Sequence, residues 1–126
     1  MRVVDSSVWI EWLSKTALGQ QLSQQIPSRD ECIVPTIVQL ELTKWLYREK
    51  GEEAVNSFIA YTMQCNVVPM DTMLAREAAE ICRKKRLATA DAIIYATALH
   101  YGADIVTCDA HFKDFENVNY VAKVAD

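Results

Sequence analysis

The sequence predicts an α/β fold of three layers, with helices on both faces of a short, mostly parallel central sheet, and residues 1–126 forming a single domain. Three observations carry that expectation. Short β-branched runs alternate with longer segments of helical period. No two runs are joined by a hairpin signal, so consecutive strands need crossover connections and lie parallel. The segment Ala92 to Leu99 is apolar on nearly every helical face, as expected of a helix enclosed by other elements.

Arg2 to Val4 reads as the first strand, ending in Asp5-Ser6-Ser7, three residue types that favour a helix N-terminus. A helix follows from about Ser7 to Ser14, carrying Val8, Trp9, Ile10, Trp12 and Leu13, more apolar surface than one core face requires. A second helix, about Leu18 to Ile26, stops at Pro27. Cys32 to Val34 is a brief strand closed by Pro35, and Thr36 caps a helix from about Ile37 to Lys50 that Gly51 ends. Glu52 to Met63 is helical, Val67 to Pro69 a strand, and Asp71 to Lys85 a helix capped by Asp71 or Thr72. Thr89 starts the apolar helix, which ends at Gly102; Ile105 to Thr107 and Tyr120-Val121 supply the last strands.

Composition narrows the function classes. A chain of 126 residues buries a core without disulfide staples, and its 51% hydrophobic content with three glycines and three prolines fits a helix-rich globule. Cys32, Cys65, Cys82 and Cys108 form no Cys-x-x-Cys pair, which points away from zinc and toward small buried hydrophobes in a reducing compartment. Glu41, Lys44 and Asp91 interrupt the apolar runs before the ~20 residues of a membrane span. With no secretory leader visible, the expectation is a cytoplasmic protein. A net charge of −4 excludes a broad basic surface for long nucleic acid, although a local site remains open. His100 and His111 have no marked nucleophile nearby and are read as structural or surface residues.

Four acids stand where one cleft would collect them. In parallel sheets, ligands sit beyond the carboxyl ends of the strands. Asp5 follows the first strand and Asp109 the fourth; Glu41 lies one turn into the third helix and Asp91 in the first turn of the apolar one. Each alone has an ordinary explanation: Asp5 and Asp91 as helix-terminal acids, Glu41 in a surface ladder with Lys44 and Arg48, and Asp109 as a turn residue. Asp91 strains that set, because an ionised carboxylate entering an apolar interior has to be paired, protonated or metal-bound. Clustered carboxylates repel unless a hard divalent cation neutralises them, and oxygen ligands suit Mg²⁺ or Mn²⁺ rather than zinc.

The stretches "VVDSSVWIEWL", "PTIVQLEL" and "RLATADAIIYATALHYGADIVTCDAHF", with a closing hydrophobic strand, closely resemble PIN-domain ribonucleases, specifically the VapC-type toxins of toxin–antitoxin pairs. The resemblance covers essentially the whole chain, in order, as a PIN-like fold. It implies that Asp5, Glu41, Asp91 and Asp109 are metal-binding carboxylates, that the Thr107 hydroxyl supports them, and that the metal is Mg²⁺ or Mn²⁺. It also implies an endoribonuclease that hydrolyses RNA by metal-activated water, a homodimer, and a small antitoxin similar to VapB. "RLAT" departs from the family's "RLPT", and Ala88 in place of proline relaxes a turn without removing chemistry. Lys44, Arg48 and the cluster Arg83, Lys84, Lys85 and Arg86 are candidates for RNA phosphate contacts, though basic residues in a last helical turn also suit the dipole. Trp9, Trp12, Trp45 and Tyr47 are read as core or protein interface rather than base-stacking platforms.

Other classes fit less well. A haloacid-dehalogenase-type phosphatase wants a second acid two residues after Asp5, where Ser7 stands, and a receiver domain wants an adjacent acid pair that the chain does not open with. A metal-independent ribonuclease would use a histidine couple and leave a cyclic phosphate. The alternative outside enzymology is a non-catalytic PIN-like module that binds RNA or protein.

Overall fold

A computed structural model describes residues 1–123. Its regular elements are β1 (Arg2–Val4), α1 (Ser6–Leu13), α2 (Ala17–Leu22), β2 (Cys32–Pro35), α3 (Thr36–Glu49), α4 (Glu52–Thr62), β3 (Asn66–Val68), α5 (Thr72–Lys85), α6 (Thr89–His100), β4 (Asp104–Thr107) and β5 (Val118–Tyr120). The strands form one parallel sheet in the order β3-β2-β1-β4-β5. The chain therefore builds outward from β1 through β2 to β3, then returns to the other side of β1 to lay down β4 and β5. Right-handed crossovers put α1 to α4 on one face and α5 and α6 on the other, which gives the three layers.

Central strands covered on both faces have no wet side, and the sequence supplies none. Val3, Val4, Ile33, Val34, Ile105 and Val106 are all buried. On α6 every residue from Ala92 to Ala98 is buried, as its all-round apolar pattern predicts. Trp9 lies fully in the core against the rings of Trp12, Phe58 and Tyr61. Trp12 and Trp45 are only partly buried, and Tyr47 is exposed. Of the four free cysteines, Cys32 and Cys108 are buried and Cys65 and Cys82 partly so. No helix among the described residues is long and apolar enough to cross a membrane.

Several boundaries differ from the sequence reading for local reasons. The second helix is shorter: Thr16 caps it by accepting from Gly19 N at 2.9 Å, and at Ser23 it tightens into a 3₁₀ turn. There the Ser23 hydroxyl donates to the Gln20 carbonyl at 2.6 Å, the kind of side-chain bond that competes with helix propagation. The third strand stops at Val68 because Pro69 has no N–H for the ladder. Thr36, expected as a cap, is the first residue of α3, with Pro35 before it.

Gly19 allows α2 to lie against α1. A Cβ there would run into the backbone carbonyl of Glu11, closer than real Cβ atoms come, and backbone cannot swing aside. Gly19→Ala is accordingly expected to destabilise the protein by about 1–3 kcal/mol, read as a lower urea midpoint. An unchanged midpoint would show that the α1–α2 packing adjusts.

Candidate metal centre

Strand order reverses between β1 and β4, and the site lies just beyond their carboxyl ends, where open parallel sheets bind ligands. The two strand ends are tied directly: Asp5 N donates to the Val106 carbonyl at 3.0 Å. Asp5 is the N-cap of α1, so the chain must turn from strand to helix at this carboxylate. That turn leaves it 4% exposed.

A ring of hydroxyls fixes Asp5. Its Oδ2 accepts from Ser7 Oγ at 2.6 Å, from Thr107 Oγ1 at 2.9 Å and from Ser7 N at 3.3 Å. All three bonds go to one oxygen, which leaves Oδ1 for a ligand. Thr107, fully buried at the end of β4, also accepts from Asp109 N at 2.9 Å, and Ser7 Oγ accepts from Cys108 N at 3.0 Å. The ends of β1 and β4 thus share one hydrogen-bonded network. Glu41 enters from α3, whose apolar stripe Val38, Leu42 and Leu46 is buried beside it, and its Oε1 accepts from Ser6 Oγ at 2.7 Å.

Asp91 sits in the first turn of α6, and its position is set from below. One turn on, and hence on the same face, Tyr95 packs against Phe112 and Phe115 and donates its hydroxyl to the Glu116 carbonyl at 3.2 Å. Phe112 is fully buried and closes a 3₁₀ turn, Ala110–Phe112, that opens on Asp109. Asp109 Oδ1 accepts from His111 N at 2.9 Å, and His111 Nδ1 lies 3.0 Å from Asp109 Oδ1 and 3.8 Å from Asp91 Oδ2. Asp91, Asp109 and His111 each offer a ligand atom within 4.8 Å of the others'.

Asp91 lies within electrostatic reach of the other three carboxylates. Burial pushes the Asp91 carboxyl up to about 6, reinforced by repulsion from Asp109, Asp5 and Glu41 and only partly relieved by His111. Burial also raises Asp5, against the hydrogen bonds of Ser7 and Thr107, and raises Glu41, against the bond from Ser6 and the charge of Lys44. Among the described residues, no Lys or Arg comes within ion-pair distance of any of the four. A cluster of carboxylates whose charge Lys44 and His111 offset only in part fits a hard divalent cation.

The basic candidates are distributed differently. Lys44 is close enough to act on Glu41. Arg48 is exposed and pairs with its neighbour Glu49. Arg83 and Lys84 pair with Glu80 on their own helix, and Lys85 lies over the Phe115 ring. Arg86, at φ 55°, turns the chain from α5 into α6, so this cluster and Asp91 lie at the same end of the α5–α6 pair.

Three contributors escaped the sequence reading. Ser6 and Ser7 read as helix-starting residues, and nothing in the sequence distinguishes a serine that caps from one that holds a carboxylate. His111, expected at the surface, is exposed there but faces two carboxylates. Its one sequence signal was its place two residues after Asp109, the spacing of an Asx turn.

A family model described as PIN domain matches residues 2–118. No curated protein gives a significant sequence match. Among solved structures, the chain is similar to a toxin–antitoxin complex from Klebsiella pneumoniae, at TM-score 0.82 and 17% identity over 94% of this chain and 96% of that one. It is similar to the sarcin–ricin-loop-cleaving toxin VapC20 of Mycobacterium tuberculosis, at TM-score 0.68 and 20% identity over 83% and 87%. It also resembles VapBC2 from Rickettsia felis, solved with a promoter DNA fragment, at TM-score 0.70 and 14% identity over 98% of both chains.

Proposed function

The chain belongs to the PIN-domain family, and from that premise we propose that it is a divalent-metal-dependent endoribonuclease, acting as the toxin of a toxin–antitoxin pair. The observation that carries this reading is the meeting of Asp5, Glu41, Asp91 and Asp109 in one cleft with no lysine or arginine paired to them. Mg²⁺ or Mn²⁺ held there would supply polarisation of a scissile phosphate and activation of water.

The chain's own side chains supply the rest. Asp91, Asp109 and the unshared Oδ1 of Asp5 would hold the cation, with Ser7 and Thr107 fixing the Asp5 carboxylate through its other oxygen. Glu41, steadied by Ser6 on a separate helix, faces the cleft from the other side and orients the attacking water or completes a second cation site. Lys44, Arg48 and the Arg83 to Arg86 turn take the phosphates of a single-stranded or structured RNA. The similar toxin–antitoxin complexes support a small antitoxin as partner. The partly exposed Trp12 and Leu13 on α1 suit a protein contact, either with that antitoxin or in a homodimer. On this reading residues 1–126 work as one domain, in the cytoplasm.

Purified protein is expected to cleave RNA with Mg²⁺ or Mn²⁺, to stop in excess EDTA, and to resume when the cation is restored. Sequenced products should carry a 5′-phosphate and a 3′-hydroxyl. Cleavage that persists in EDTA, or cyclic phosphate ends, would overturn the proposal; RNA binding without cleavage would favour a non-catalytic module.

A further inference from the structure

Beside the carboxylates of the candidate metal site stands one imidazole, near enough to Asp109 and Asp91 to pair with them or to share a cation. His111 is 77% exposed on its side chain, so solvent offers it every other orientation. Its Nδ1 instead lies 3.0 Å from Asp109 Oδ1 and 3.8 Å from Asp91 Oδ2. The backbone beneath it is fixed on both sides: His111 N donates to Asp109 at 2.9 Å, and the next residue, Phe112, is fully buried. One ligand atom from each of Asp91, Asp109 and His111 lies within 4.8 Å of the other two, near enough for one small cation to be shared.

We propose that His111 Nδ1 is a ligand of the divalent cation shared with Asp91 and Asp109, giving the site a mixed nitrogen and oxygen donor set that takes Mn²⁺ in preference to Mg²⁺. This rests on the metal-centre reading above. Imidazole is a better partner for transition-metal ions than for Mg²⁺, and Mn²⁺ is the one of these whose oxygen-rich habit also suits the two carboxylates. His100, the other histidine, lies by Glu77 and Tyr101 and takes no part.

The test uses the full chain and Mn²⁺ alone as probe, followed by electron paramagnetic resonance, with Mg²⁺ affinity measured by competition. The Mn²⁺ complex of the wild type is expected to show nitrogen-14 echo modulation. His111→Ala should lose that signal and bind Mn²⁺ about tenfold or more weakly, with Mg²⁺ affinity changed far less. His100→Ala should match the wild type in both. The exposed position leaves folding intact, checked by circular dichroism. Mn²⁺ binding with no nitrogen modulation in the wild type, or modulation that survives His111→Ala, overturns the histidine assignment while leaving the carboxylate site standing. Absence of Mn²⁺ and Mg²⁺ binding in the wild type overturns both.

Discussion

Asp91→Asn is expected to lower RNA cleavage by about a thousandfold or more while making the metal-free protein more stable at pH 7. The two effects share one cause. Asn keeps the shape of the side chain and the burial of α6, but removes the charge that Asp109, Asp5 and Glu41 repel and that the interior desolvates. Losing a direct cation ligand removes several kcal/mol of transition-state stabilisation, and ~4 kcal/mol is about a thousandfold in rate. The carboxyl pushed up to about 6 from 3.8 marks a native-state penalty of about 3 kcal/mol at neutral pH. The variant escapes that penalty. Single-turnover cleavage and thermal melts in EDTA measure the two sides; a variant that cleaves normally, or melts lower than wild type in EDTA, contradicts the assignment. Growth inhibition on expression should vanish with the cleavage.

The second large effect is in pH. Because the folded protein holds the Asp91 proton more tightly than the unfolded chain, the stability it contributes is fully present below pH 3.8 and disappears as pH rises through about 6. Burial moves Asp5 and Glu41 in the same direction, which steepens the decline. In EDTA, the stability difference between Asp91→Asn and wild type should therefore open from near zero at pH 4 to about 3 kcal/mol at pH 7. Adding Mg²⁺ at pH 7 should raise the wild-type melting temperature and hardly move the variant, because binding to the native state stabilises by mass action. That increment should fade below pH 6 as protons compete for the same oxygens. A wild-type melt insensitive to Mg²⁺ at pH 7 would contradict the coupling.

Three of the four acids stood out from the pattern of the strands and helices, while Glu41 sat in an ordinary polar stripe with Lys44 and Arg48. Asp91 was conspicuous on a helix with no polar face, and Asp5 and Asp109 just past the ends of β-branched runs. The period of the chain thus carried both the layers and the sheet edge on which function sits. The order of the strands was not legible, because β1 lies between β2 and β4 through contacts between residues far apart in sequence. The hydroxyls of Ser6 and Ser7 were hidden for a related reason: a serine after a strand caps a helix in any fold, and its bond to Glu41 or Asp5 exists only once the chain has closed. Gly19 gave no turn signal because its use is steric, a close approach between two helices.

The central place of β1 has a consequence for biosynthesis. β1, the first strand of the sheet in chain order, ends up between two neighbours, and one of them, β4, follows about a hundred residues later. Until then Asp5 has neither the Thr107 hydroxyl nor the Val106 carbonyl to hold it. A nascent chain of ninety residues therefore carries scattered acids and no cleft. The carboxylate cluster therefore exists only once β4 has closed against β1.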